Sequence, residues 1–125
     1  MDRYQTLQSF WSSFGLAAYD ENTVPDDAMT RNGGKYITYN VVTAYFDEPV
    51  PLTASLWFRA LSWAGISELA ETIGEDTGLG GKIIKYDDGY LWLKRGTPFA
   101  QRMSDDDDTI RRIYLNVEAE FLTAE

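Results

Sequence analysis

A chain of 125 residues, 44% hydrophobic and 14% aromatic, can fill one core and is too short for two. Eleven Lys and Arg against twenty Asp and Glu leave a net charge of −9, with no histidine and no cysteine. This composition excludes Ser-His-Asp and Cys-His nucleophiles, zinc sites built on Cys and His, disulfides, thiol redox chemistry and iron–sulfur ligation. A pI near 4.4 also argues against wrapping nucleic acid by neutralising its phosphates.

The N-terminal stretch lacks the apolar run of a signal peptide, and no segment approaches the ~18 apolar residues of a spanning helix. No Asn is followed two residues later by Ser or Thr, so no glycosylation acceptor is present. The expectation is a soluble protein, made in a cytoplasm, with no membrane partner.

In chain order, Tyr4, Leu7, Phe10, Trp11 and Phe14 hold the spacing of one helix face, and Gly15 stands where a helix stops. Residues 16–34 are rich in Asp, Asn, Gly and Pro and read as one long loop. Lys35 to Phe46 is rich in Tyr, Ile, Val and Thr, alternates Ile37, Tyr39, Val41 and Thr43 with Tyr36, Thr38, Asn40 and Val42, and reads as a strand. Pro49 and Pro51 argue against a central strand there, so the next strand is placed from Leu52 to Arg59, with Leu52, Ala54, Leu56 and Phe58 on one face.

Ser62 is a plausible N-cap for a second helix carrying Trp63, Ile66, Leu69, Ala70 and Ile73, ending near Gly74 to Gly78. Lys82 to Tyr86 and Tyr90 to Lys94 flank an Asp87-Asp88-Gly89 turn and form a hairpin. Residues 96–108 read as a second long loop. Ile110 to Phe121 is the longest strand, with Ile113, Leu115, Val117, Ala119 and Phe121 on its apolar face. The order is α-β-β-α-β-β-β in one domain over 1–125. It predicts an α+β fold, with a mostly antiparallel sheet of about five strands and two helices on one face.

Motifs for chemistry fail one by one. Gly78-Leu79-Gly80-Gly81-Lys82 has Ile83 where a phosphate loop needs Ser or Thr, and it leads into a strand instead of a helix. Asp105, Asp106, Asp107 and Asp108 are contiguous, whereas a calcium loop spaces its ligands and turns on Gly. They read as a solvated acidic loop. Acidic pairs for glycoside hydrolysis are always on offer among twenty carboxylates, and no spacing singles any out. Trp57, Trp63 and Trp92 have the spacing of core or sheet packing more than that of a sugar cleft. No catalytic, cofactor or metal residue is therefore assigned.

Charge distribution is more informative. Residues 1–34, 35–80 and 105–125 are each acidic, while residues 81–104 carry five bases and two acids. The bases Lys82, Lys85, Lys94, Arg95 and Arg102 read either as the ordinary solvation of an exposed hairpin or as a contact surface for an acidic neighbour, such as another copy of the chain, and Asp105 to Asp108 are further candidate contacts.

Four stretches carry a resemblance. They are Phe14 to Ala28 with Tyr36 to Tyr39, Leu52 to Trp57, Gly89 to Trp92 with Arg95 to Met103, and Arg112 to Asn116 through Glu118 to Leu122. Together they resemble the minor capsid, neck or tail-completion proteins of long-tailed, siphovirus-type bacteriophages and prophages. In size and element order the chain is similar to tail terminator and tail-to-head joining proteins. The resemblance implies a non-catalytic virion protein that forms a homo-oligomeric, hexameric ring at the head–tail junction. Such a ring caps the tail tube, meets tail tube and head-connector proteins, and passes DNA through its lumen without specific binding. The implied location is the virion tail or neck, after assembly in the bacterial host cytoplasm. Another neck-ring or minor capsid component, or a non-catalytic protein-binding module, is the alternative.

Overall fold

The strong alternation near the end of the sequence marks the strand that the rest of the sheet is built around. The structure, a computed structural model, describes residues 1–42 and 46–123. Six strands share one sheet: β1 (Ala18–Asp20), β2 (Lys35–Tyr39), β3 (Pro49–Arg59), β4 (Lys82–Tyr86), β5 (Gly89–Met103) and β6 (Ile110–Thr123). Their spatial order is β1-β2-β3-β6-β5-β4. β1 and β2 pair in parallel, and the other neighbours pair antiparallel. Three helices accompany the sheet: α1 (Arg3–Ser12), α2 (Ala28–Arg31) and α3 (Ala64–Thr77).

The predicted apolar faces of β3 and β6 form the core. Leu52, Ala54, Leu56 and Phe58 of β3 and Ile113, Leu115, Val117, Ala119 and Phe121 of β6 are all buried. Leu7, Phe10 and Trp11 of α1 and Ile66, Ala70 and Ile73 of α3 join the same cluster. Each such fully buried large side chain contributes roughly 1.5–3 kcal/mol relative to exposure. A capping box starts α1. The Asp2 side chain accepts the Gln5 N–H at 2.8 Å, and Gln5 Oε1 accepts the Asp2 N–H at 3.0 Å. The helix ends at Ser12, so Phe14 lies beyond it and packs edge-on against Phe10, while Tyr4 is exposed.

Several sequence expectations are corrected. Among the described residues the sheet has six strands and there are three helices, because residues 16–34 contain β1 and α2. Elements of three and four residues are too short for a periodic signal. β2 ends at Tyr39, and the part of its predicted extension at 43–45 lies outside the described residues. β3 starts at Pro49, earlier than predicted. Among the described residues β2 pairs with β3 only as far as Ala54, so Pro49 and Pro51 sit where β3 has β6 on one side alone, the edge setting that tolerates proline. The Ser62 hydroxyl does accept a backbone N–H, from Ala64 at 3.0 Å, although Trp63 holds the N-cap position of α3. In the hairpin, Gly89 pairs with Tyr86 as the first residue of β5, leaving Asp87 and Asp88 as the turn.

The largest correction concerns residues 96–108. β5 runs on to Met103, and the register with β6 jumps between Arg95, opposite Val117, and Ala100, opposite Leu115. Gly96, Thr97, Pro98 and Phe99 therefore bulge opposite Asn116 alone. Asn116 Nδ2 donates to the Pro98 carbonyl at 3.0 Å, and the Thr97–Pro98 peptide bond is cis. The backbones come so close here that a Cβ at Gly96 would lie 2.8 Å from the Asn116 carbonyl oxygen. Gly80, by contrast, has nothing within 4 Å of such a Cβ. Gly96→Ala is expected to destabilise the fold by about 1–3 kcal/mol, as overpacking against backbone does, and Gly80→Ala to leave it nearly unchanged. Thermal or urea denaturation of the two variants checks this; equal stability would remove the bulge's claim on glycine.

Candidate interaction surface

A β-strand sends successive side chains to opposite faces, so a run of bases in sequence does not become a patch in space. Register places Lys82, Arg95 and Arg102 on the helix-covered side of the sheet, opposite Leu93, Val117 and Ile113. Lys85 and Lys94 take the other side, opposite Tyr90 and Glu118. The single basic surface expected from residues 81–104 is therefore divided. Two of its members are also neutralised within the subunit. Lys82 Nζ lies 2.8 Å from Asp76 Oδ2, and Lys94 Nζ lies 3.4 Å from Glu120 Oε1.

The acidic loop Asp105 to Asp108 is folded onto itself and onto β3. Asp105 Oδ2 accepts the Asp107 N–H at 3.0 Å. Asp107 Oδ1 accepts both the Thr109 hydroxyl at 2.6 Å and the Thr109 N–H at 2.8 Å, and its other oxygen faces Arg59 at 3.6 Å. The Asp108 carbonyl accepts Arg111 NH1 at 2.7 Å. Among the described residues no group of three acidic side chains converges as a cation site.

Two features escaped sequence reasoning. The first is an aromatic and arginine plate on the open face of the sheet. Tyr36, Trp57, Arg112 and Met103 occupy one row across β2, β3, β6 and β5. Tyr36 stacks on Trp57 with centroids 5.9 Å apart and planes 9° apart, and Arg112 lies over Trp57 at 4.6 Å. Tyr19 meets Tyr36 edge-on. The buried hydroxyls of Thr38 and Ser55 hold this plate from beneath. Thr38 Oγ1 accepts Trp57 Nε1 at 3.0 Å, and Ser55 Oγ accepts Arg112 NH2 at 3.0 Å. Burial, then the charge of Asp105, push the Tyr36 hydroxyl above its ordinary pKa, against the opposing pull of Arg112. The same pairing recurs elsewhere: Lys94 lies over Trp92 at 3.7 Å and Arg102 over Trp63 at 4.8 Å. Each exposed pair of this type contributes about 0.5–1 kcal/mol. Trp57, Trp63 and Trp92 thus carry cations, an arrangement visible only once the fold is known.

The second is a cleft of about 400 Å³ between α3 and the outer half of β5. Its floor includes Ala70, Gly74, Phe99 and Ile113; Arg95 and Arg102 stand on one wall and Glu71 and Glu75 on the other. The Phe99 ring fits over Gly74 so closely that a Cβ there would meet it at 3.1 Å. Among the described residues no carboxylate lies within salt-bridge distance of Arg95 or Arg102.

Comparison with known proteins gives a fold. No protein-family model matches the chain. No curated protein matches it either. Among solved structures, a chain in the virion of a native gene transfer agent particle superposes with a TM-score of 0.64. The two are 21% identical, and the match covers 93% of this chain and 88% of that one. The fold described above is therefore that of a component of a gene transfer agent virion, over nearly its whole length.

The Asp107 cluster makes a prediction about pH. The Thr109 hydroxyl, then the Thr109 N–H, hold the Asp107 carboxyl below its ordinary pKa, with Arg59 assisting. Its contribution to stability is therefore present above the ordinary carboxylate range and lost as pH falls through the depressed value. Thr109→Val, which removes the hydroxyl and keeps the N–H, is expected to move the Asp107 pKa upward. Carboxyl NMR titration of both proteins reads this directly, and an unmoved value would refute the assigned cause.

Proposed function

We propose that this chain is a structural protein of a phage-like virion, of the tail-terminator or tail-completion type. The observation that carries the proposal is the shared fold, over 93% of the chain, with a component of a gene transfer agent virion. The resemblance of Phe14 to Ala28, Arg95 to Met103 and Arg112 to Leu122 to phage tail-completion proteins agrees with it in kind. In this reading the chain acts without catalysis. It assembles as a homo-oligomeric, hexameric ring at the head–tail junction, caps the tail tube and joins it to the head connector.

The physical features of the subunit support such a role. Ring assembly needs two different complementary surfaces on each copy, since a ring interface is heterologous. The open-face plate around Trp57, held in place by Thr38 and Ser55, offers one such surface. A net charge of −9 repels DNA phosphates, so a genome passing through the lumen would not be held.

The test is mass measurement by light scattering, with the chain alone and with tail tube protein. A hexamer, formed alone or on the tube, is the expected result. A chain that stays monomeric in both conditions and leaves tube polymerisation unchanged refutes the terminator reading.

A further inference from the structure

A sheet interacts through its edges as well as its faces, and beside the proline-bearing start of β3 three edge stretches among the described residues differ in character. At β1, the two outward carbonyls are already used: Gln8 Nε2 donates to Ala18 O at 2.9 Å, and the Thr23 N–H donates to Asp20 O at 2.9 Å. The acceptors of that edge are therefore occupied from within the subunit. At the other end, β4 carries Lys82 and Lys85, the residue type with which natural sheets guard an edge.

The third edge is open. β4 covers β5 only from Gly89 to Leu93, while β5 continues to Met103. Over Ala100 to Met103, β5 pairs with β6 on its inner side and with no described strand on its outer side. All four residues are exposed, although alternate ones face the helix-covered side. In an antiparallel strand, alternate residues turn their N–H and C=O away from the paired neighbour, so this stretch offers donors and acceptors to an incoming chain. Beside it lies the cleft against α3.

We propose that the outer edge of Ala100–Met103 and the adjoining cleft form a strand-addition site for an extended segment of another protein. Backbone hydrogen bonds to β5 would supply affinity, and side chains entering the cleft would supply selectivity. The floor of Ala70, Gly74 and Phe99 takes an apolar side chain. Arg95 and Arg102, which lack carboxylate partners among the described residues, take an acidic one. Glu71 and Glu75 across the cleft take a basic one and disfavour a wholly acidic segment. The fitting ligand is an extended stretch with an apolar residue between opposite charges. A second copy of this chain offers no such strand at its sheet edges. The carbonyls of its β1 edge are occupied, its β4 edge carries a guarding lysine on each side of the sheet, and its own Ala100–Met103 edge would bring two copies of Arg102 together. The site is independent of ring formation, since a monomer presents it in full.

The test selects binders to the full-length protein from capped peptides of about twelve residues with randomised centres, long enough to span the edge at about 3.3 Å per residue. Recovered peptides are expected to show the alternating pattern and to shift the amide NMR signals of Ala100 to Met103. Methylating alternate peptide nitrogens is expected to abolish binding. Arg102→Glu and Glu75→Lys, both at exposed positions, are each expected to weaken binding about tenfold or more. A pool without binders at millimolar concentration overturns the proposal. So do amide shifts centred on the plate around Trp57, or N-methylated peptides that bind as well as their parents. Self-association of the chain that Arg102→Glu abolishes also overturns it, by giving the edge to a second copy. The N-methyl comparison uses the unaltered protein, so it decides the matter even where a variant fails to fold.

Discussion

The structure depends on the pairing of β3 with β6. Their antiparallel ladder is continuous from Pro49, opposite Glu120, to Arg59, opposite Ile110. It sets Leu56 against Ile113 in the core and, one residue on, Trp57 against Arg112 on the open face. A slip of one residue would exchange the two faces and expose the whole apolar set. Both neighbours then take their positions from this pair: β2 adds to β3 and β5 adds to β6. The helices α1 and α3 cover the face so defined. The ladder joins segments about half the sequence apart, so folding has to close a long loop before this core can form.

How much was legible follows from which signals are local. The apolar faces of β3 and β6 were legible because period-two alternation survives in any sheet with one covered face: Leu52 to Phe58 and Ile113 to Phe121 are buried as expected. The face of α3 was legible for the same reason at helical period, through Ile66, Ala70 and Ile73. β5 reads short in the sequence because Gly96 and Pro98 are ordinarily loop residues. A four-residue bulge also resets the alternation, so the resumed strand Ala100 to Met103 no longer continued the pattern of Leu91 and Leu93. Tyr36, Trp57 and Arg112 could not be read as one feature, since they become neighbours only through the register of three strands.

The basic segment teaches a related point about charge. Five bases within residues 81–104 suggested one surface. Two are spent on Asp76 and Glu120, and the strand distributes the rest over both sides of the sheet. What the sequence count conceals is pairing. Lys94 is shared between Glu120 and the Trp92 ring, whereas Arg95 and Arg102 stand in a cleft without carboxylate partners among the described residues. On a strongly acidic protein, unpaired guanidinium groups are a more selective feature than net charge, because their position is set by the fold and their neutralisation is left to a ligand.

The three sheet edges also constrain how copies of this subunit associate. Joining subunits edge to edge into one continuous sheet would require β1 or β4 of one copy to meet the open part of β5 in the next. The first has its outward carbonyls bonded to Gln8 and Thr23, and breaking those bonds would leave their donors to find water instead. The second carries Lys82 and Lys85, one on each side of the sheet, the residue type that guards an edge against pairing. A ring of this chain, as proposed, is therefore held by faces and loops instead of by shared strands. The surface best organised for that is the open face, where Thr38 and Ser55 fix Trp57 and Arg112 before any partner arrives. Because these side chains are already held, little rotamer freedom remains to be lost when the face is covered. The β5 edge is then left available for a different chain, which lets one small subunit serve two kinds of neighbour without competition between them.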